Sequence, residues 1–180
     1  MNAMISRPAP LLGALLLTAS CNMDRAAGPD GGGLALAAAF PSVVGTYAGT
    51  TVVTATTSFG LRETLSCPTQ VSVNSQTESA FAGSFTVSSA DCGTETGTLR
   101  GTVTETGGLS VVADAEGGGV NVFEDAAARS GCRLVSSSGT LNGNLSSTTF
   151  TVLGTAAFDC PSSFGTIRVN ASANVTANRI

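Results

Sequence analysis

Beyond Val43 the sequence alternates apolar and polar residues with a period of two, and no other feature limits its fold so tightly. Phe81, Phe85 and Val87 share one parity, while Ser84 and Thr86 take the other. Leu99, Gly101 and Val103 interleave with Thr98, Arg100, Thr102 and Thr104. Ile167, Val169, Ala171, Ala173 and Val175 do the same with Thr166, Arg168, Asn170, Ser172 and Asn174, and Phe150, Val152, Ala156 and Phe158 share one face of a further segment. Successive side chains of an extended chain point to opposite faces, so this pattern marks antiparallel strands with one buried and one wet face. Turn residues divide the text into eight candidate strands, at about 45–58, 64–75, 80–89, 96–106, 109–115, 132–140, 147–158 and 164–178.

Eight short strands joined by turns predict an all-β fold. A closed, antiparallel eight-stranded up-and-down β-barrel removes every exposed edge and is the favoured architecture. A two-sheet β-sandwich is the alternative. The buried faces are rich in Gly, Ala, Thr and Val, which either fill a narrow barrel or leave a slim cavity. The stretch from Phe123 to Gly131 breaks the alternation and reads as a short helix capped by Gly131, in the longest loop and across one barrel end. The apolar stretch Leu34 to Phe40, before Pro41, reads either as a segment packed on the barrel or as the end of a linker.

Residues 1–20 read as an export signal. Arg7 gives a positive charge, Leu11-Leu12-Gly13-Ala14-Leu15-Leu16-Leu17 is the apolar run, and Thr18, Ala19 and Ser20 lead into Cys21. The apolar run falls short of the roughly 20 residues that span a bilayer as a helix. Leu17-Thr18-Ala19-Ser20-Cys21 resembles the lipobox of bacterial lipoproteins. The resemblance implies cleavage before Cys21 by signal peptidase II, with Cys21 then lipidated. It also implies a protein of the cell envelope held to the membrane by that lipid. Asn22 follows where an Asp favours inner-membrane retention in enterobacterial lipoproteins, so the resemblance points to the outer membrane. Asn22 to Leu34 is small and polar and includes Gly31-Gly32-Gly33. It buries too little apolar area to offset its ordering entropy and reads as a tether. The chain thus divides into a signal (1–20), a lipidated Cys with its tether (21–40) and a β-barrel domain (41–180).

With Cys21 set aside, Cys67, Cys92, Cys132 and Cys160 remain, an even number in an oxidising compartment, which predicts two disulfides. No short paired spacing supports a metal site instead. In a hairpin the start of one strand lies beside the end of the next. Cys67 opens the second candidate strand and Cys92 follows the third; Cys132 opens the sixth and Cys160 follows the seventh. The expected pairs are Cys67–Cys92 and Cys132–Cys160. Cys92 is out of phase with Phe85 and Val87, so a bulge or a strand end must come between them.

Gly45-Thr46-Tyr47 resembles the Gly-x-Trp opening of lipocalins, with Tyr in place of Trp. Gly97-Thr98-Leu99-Arg100-Gly101-Thr102-Val103 and Ser138-Gly139-Thr140-Leu141-Asn142-Gly143-Asn144 look like the Gly/Thr-rich strands of bacterial lipocalin-like lipoproteins. The resemblance implies a barrel whose mouth takes up a small apolar ligand. A structural or protein-interaction module of the envelope, without a small-molecule site, is the competing expectation.

Composition removes other classes of function. With no His there is no Ser-His-Asp or Cys-His relay and no His-ligated metal. With no Lys and a net charge of −4, a phosphate-tracking surface is not expected, so no nucleic-acid partner is assigned. Asp114, Glu116, Glu124 and Asp125 match no known calcium-loop spacing and read as solvated loop charge. Asp91 and Asp159, each before a cysteine, read as turn caps. Gly117-Gly118-Gly119 has neither the Lys nor the βαβ setting of a phosphate loop. Arg62, Arg100, Arg133 and Arg168 read as charges on a wet exterior, and Asn174-Val175-Thr176 as a sequon without consequence. The polar outer faces and few aromatics argue against a membrane-spanning barrel. No catalytic residues, metal or cofactor are assigned, and the protein is not expected to be an enzyme.

Overall fold

The computed structural model describes residues 39–116, 120–163 and 165–180. The alternating segments form β1 (Gly45–Thr57), β2 (Arg62–Thr77), β3 (Ala80–Ser89), β4 (Gly93–Val103), β5 (Gly108–Ala115), β6 (Arg133–Ser137), β7 (Leu141–Leu145), β8 (Thr149–Ser162) and β9 (Gly165–Arg179), with helix α1 (Val122–Arg129) between β5 and β6. Pairing runs β1-β2-β3-β4-β5-β7-β8-β9, antiparallel throughout, and β9 returns to β1 along Tyr47–Thr57. The sheet therefore closes into an eight-stranded barrel, and the sandwich alternative falls. The export segment, Cys21, the tether, residues 34–38 and Gly117–Gly119 lie outside the described residues. Of the Leu34–Phe40 stretch, Phe40 packs against the barrel core.

The wall departs from the expected meander at one place. The single strand expected at 132–140 is two collinear pieces, β6 and β7, which pair in succession with β8. Gly139 sits at φ 69°, a backbone state that glycine adopts without steric cost, and the chain leaves the extended conformation from Ser138 to Thr140. β7 pairs with β5 opposite Gly108–Val111, whereas β6 has only β8 as a strand neighbour. β6 is thus an extra strand, and the order is not a pure up-and-down one. Beside the second half of β5 the wall is completed by α1, which packs on β5 and β6. The helix therefore fills a seam in the wall, where the sequence had placed it across a barrel end.

Helix α1 is short and fully capped. The Asn121 side chain accepts the Phe123 amide at 3.0 Å, and Glu124 and Asp125 stand in the first turn, where the helix dipole favours negative charge. Gly131, at φ 67°, follows the Ser130 cap; the Cys132 amide donates to the Ala127 carbonyl and the Gly131 amide to that of Ala128. This is the double hydrogen bond that terminates a helix on a left-handed residue. Phe123 and Ala127 turn inward and are buried.

Small residues let the sheet coil tightly enough to close. Gly97 and Gly101 on β4 lie opposite Phe85 and Phe81 on β3. A Cβ on Gly97 would come within 2.2 Å of the Asp114 carbonyl oxygen and 2.6 Å of the Phe85 ring. The bare backbone thus allows the sharp coil, and an aromatic ring from the next strand covers it. One half of the interior is packed solid by Val43, Tyr47, Val73, Phe81, Val103 and Leu109, each at most 4% exposed, and Phe150 stands between this half and the other. The other half is hollow.

Candidate ligand-binding cavity

The hollow half holds a cavity of about 390 Å³, within the roughly 300–1,000 Å³ of small-molecule sites. The inward parity of each strand supplies its lining: Val53 from β1, Leu65 and Val71 from β2, Phe85 and Val87 from β3, Leu99 from β4, Val111 and Ala113 from β5, Val152 and Phe158 from β8, and Ala173 and Val175 from β9. Helix α1 adds Val122, Phe123 and Ala126. Small residues on β5 and β9 leave space that larger ones would fill, and this is why the barrel is not packed along its whole length. Beyond the cavity rim the β1–β2 hairpin carries Phe59 and Leu61, both largely exposed.

Both expected disulfides are present. Cys67 joins Cys92 with Cα atoms 6.0 Å apart, and Cys132 joins Cys160 at 4.3 Å. Cys67 lies well inside β2 rather than at its opening, facing inward and buried. Cys92 lies in the turn after β3, so the strand end required by its phase is what intervenes. Cys160 is within β8 rather than after it, next in register to the Arg133–Asp159 pair. The first bridge ties the β3–β4 turn to the cavity wall. The second holds the chain leaving α1 against β8.

Two polar side chains stand within the apolar lining. Thr51 on β1 and Thr69 on β2 are 8% and 6% exposed, and their hydroxyls lie 2.6 Å apart. Thr69 also donates to the Cys67 carbonyl at 3.0 Å. Other polar groups gather at the helix side of the cavity. Arg129 pairs with Glu95 of β4 and, at 2.8 Å, with Asp125 one turn earlier on α1. Asp91 lines the cavity beside Cys92. Glu95 escaped the sequence reading because that strand was begun at residue 96, whereas β4 starts at Gly93 and puts Glu95 opposite Val87 on the inner wall. Thr51 and Thr69 were also missed: their inward parity was readable, but a Thr in a Thr-rich strand is no signal by itself.

At the packed end Tyr47 is wholly buried. Its hydroxyl donates to the Val43 carbonyl at 2.9 Å and accepts from the Arg179 guanidinium at 2.7 Å. That guanidinium lies 5.3 Å from the Tyr47 ring centre, in cation–π range, and also donates to the Ser42 carbonyl. Gln76 accepts the Val43 amide at 2.9 Å and donates to the Pro41 carbonyl at 3.2 Å. The Gly45-Thr46-Tyr47 opening is therefore part of a plug that joins the first and last strands.

The remaining sequence candidates are dispersed. Asp114 pairs with Arg100, Glu116 accepts from Thr96, and Asp125 is held by Arg129. Among the described residues no three His, Cys, Asp or Glu come close enough together to hold a metal ion. Asp159 is not a turn cap. It lies in β8 between Arg133 (2.9 Å) and Arg168 (2.6 Å), its register partners on β6 and β9. The hydrogen bond from Arg168, helped by Arg133 and opposed by partial desolvation, holds its carboxyl below the ordinary aspartate value. Asp91 stands in a turn, but there Ser89 Oγ accepts the Cys92 amide at 3.1 Å.

No family model matches the chain, and no curated protein matches it. Solved structures similar to it are β-barrels. The redesigned barrel b11L5F_LGL is 14% identical with a TM-score of 0.36, covering 73% of this chain and 90% of its own. EF1p2_mFAP2b bound to DFHBI is 12% identical with a TM-score of 0.40, covering 76% and 93%. A de novo designed fluorescence-activating β-barrel is 14% identical with a TM-score of 0.32, covering 76% and 93%.

Proposed function

We propose that this protein is a membrane-anchored envelope lipoprotein whose barrel carries a small apolar ligand. The observation that carries the reading is the cavity of about 390 Å³, apolar over nearly all its lining, in one half of a barrel whose other half is packed solid. A barrel selected only for stability or for its outer surface gains from a filled interior, since an unfilled void forfeits dispersion contacts. Here the small side chains Ala113, Ala171 and Ala173 keep the space. Binding rather than catalysis fits a lining with no nucleophile beside a base. The sequence before Cys21 supports the anchor, and two disulfides fit an oxidising compartment such as the envelope, where the outer membrane is the expected address.

Native mass spectrometry of the intact protein from its producing cell tests carriage. A reproducible apolar adduct is the expected result, and a bare mass would favour a structural or protein-interaction module instead. The anchor is tested separately: globomycin, or Cys21→Ser, should leave a larger unprocessed precursor, and an unchanged size under both removes the lipid from the reading.

A further inference from the structure

We infer that the ligand is a neutral apolar molecule bearing a hydrogen-bond donor, a long-chain alcohol being its simplest form, and that Thr51 Oγ receives the donor. The inference rests on the carriage reading above and adds the chemistry of the occupant.

A threonine hydroxyl has a single proton and two lone pairs. Thr69 spends its proton on the Cys67 carbonyl. The 2.6 Å contact between the two hydroxyls is then Thr51 donating to Thr69. Thr51 Oγ is left with its lone pairs and no proton to give, more than nine-tenths buried on the cavity wall. Among the described residues no other group donates to it. A ligand O–H or N–H satisfies that oxygen; an alkane, an ester or a carboxylate brings no proton to it.

Charge in the lining points the same way. Asp91, Glu95 and Arg129 line the cavity, and Arg129 is already shared between Glu95 and Asp125. Two carboxylates line the cavity, its one guanidinium is already paired with Glu95 and with Asp125 behind it, and among the described lining residues no other cation is left to receive an anionic head group. A fatty acid has the right body and the wrong head. Hydrogen bonding and charge thus each exclude a carboxylate head.

Displacement of N-phenyl-1-naphthylamine from the intact protein by dodecan-1-ol, dodecane and dodecanoate tests this. The alcohol should bind tightest, by roughly fivefold to tenfold over the alkane, the worth of one hydrogen bond. Thr51→Val should erase that preference. Thr69 keeps its bond to Cys67 in this variant, and far-ultraviolet circular dichroism reports whether the barrel is intact. Equal affinity for alcohol and alkane, or tighter binding of dodecanoate, overturns the inference and leaves apolar carriage standing. Failure of the dye and all three compounds to bind overturns both. Should Thr51→Val not fold, the ranking on the unmodified protein decides alone.

Discussion

A methyl group at Gly143 would lie 1.8 Å from the carbonyl oxygen of Thr151 on the neighbouring strand. The clash is with backbone, which cannot rotate away, so Gly143→Ala should cost about 2–3 kcal/mol, read as a lowered denaturant midpoint with unchanged slope. The position is inward-facing on β7, opposite Val152. Asp159 gives a prediction of another kind. Its carboxyl titrates lower in the folded protein than in the unfolded chain, because Arg168 and Arg133 hold the charged form. The stability it contributes is complete above the unfolded value of about 3.9 and is lost as the pH falls through the lower folded value. Asp159→Asn should therefore be less stable than the native protein at pH 7, and the two should converge in acid. A gap that persists at pH 2 would refute the assignment.

Among the elements, α1 has the most to do with the site and the least sheet to hold it. Its eight residues pack Phe123 and Ala127 inward, its cap at Asn121 bridges to Asp114 on β5, and Arg129 reaches Glu95 on β4. The Cys132–Cys160 bridge follows it directly and closes a separation of 28 residues. Replacing both cysteines by alanine should cost about 3.5 kcal/mol on the loop-entropy account. Amide exchange in α1 should quicken more than exchange in β1–β3, because the helix loses its tie to β8 while those strands keep the Cys67–Cys92 bridge. Arg129→Ala should change global stability by less than about 1 kcal/mol, since the guanidinium is more than half exposed. Hydrogen-exchange mass spectrometry separates these outcomes.

For the molecule as a whole, the division into a solid half and a hollow half is the property that matters. Val53 points into the hollow half. Val53→Trp should fill enough of the cavity to obstruct it and abolish the adduct, while the thermal midpoint falls by no more than about 2–4 °C, the equivalent of about 1 kcal/mol for a domain of this size. A filled cavity that still carries its adduct would place the ligand elsewhere. The same substitution at the solid end, beside Tyr47 or Val103, has no space to enter and should unfold the protein, which makes the pair a map of where the barrel is empty.

The sequence by itself determined the strands, the parity of their faces and the pairing of the cysteines, because each follows from local chain geometry. Phe81, Phe85 and Val87 must share a face in any extended chain, and Cys132 and Cys160 become neighbours where the ends of their segments pair antiparallel, as Arg133 does with Asp159. The helix end at Gly131 was legible for the same reason, as was an inner face made of small residues. Tertiary structure alone decided that β9 meets β1 to close a barrel, that β6 and β7 follow one another along the same edge of β8, and that small residues leave a void at one end while aromatics fill the other. Closure, breaks and voids depend on the sum of coiling around the whole sheet. Contacts such as Arg129 with Glu95, Arg179 with Tyr47 and Thr51 with Thr69 join residues far apart in the chain, where no local pattern records the meeting.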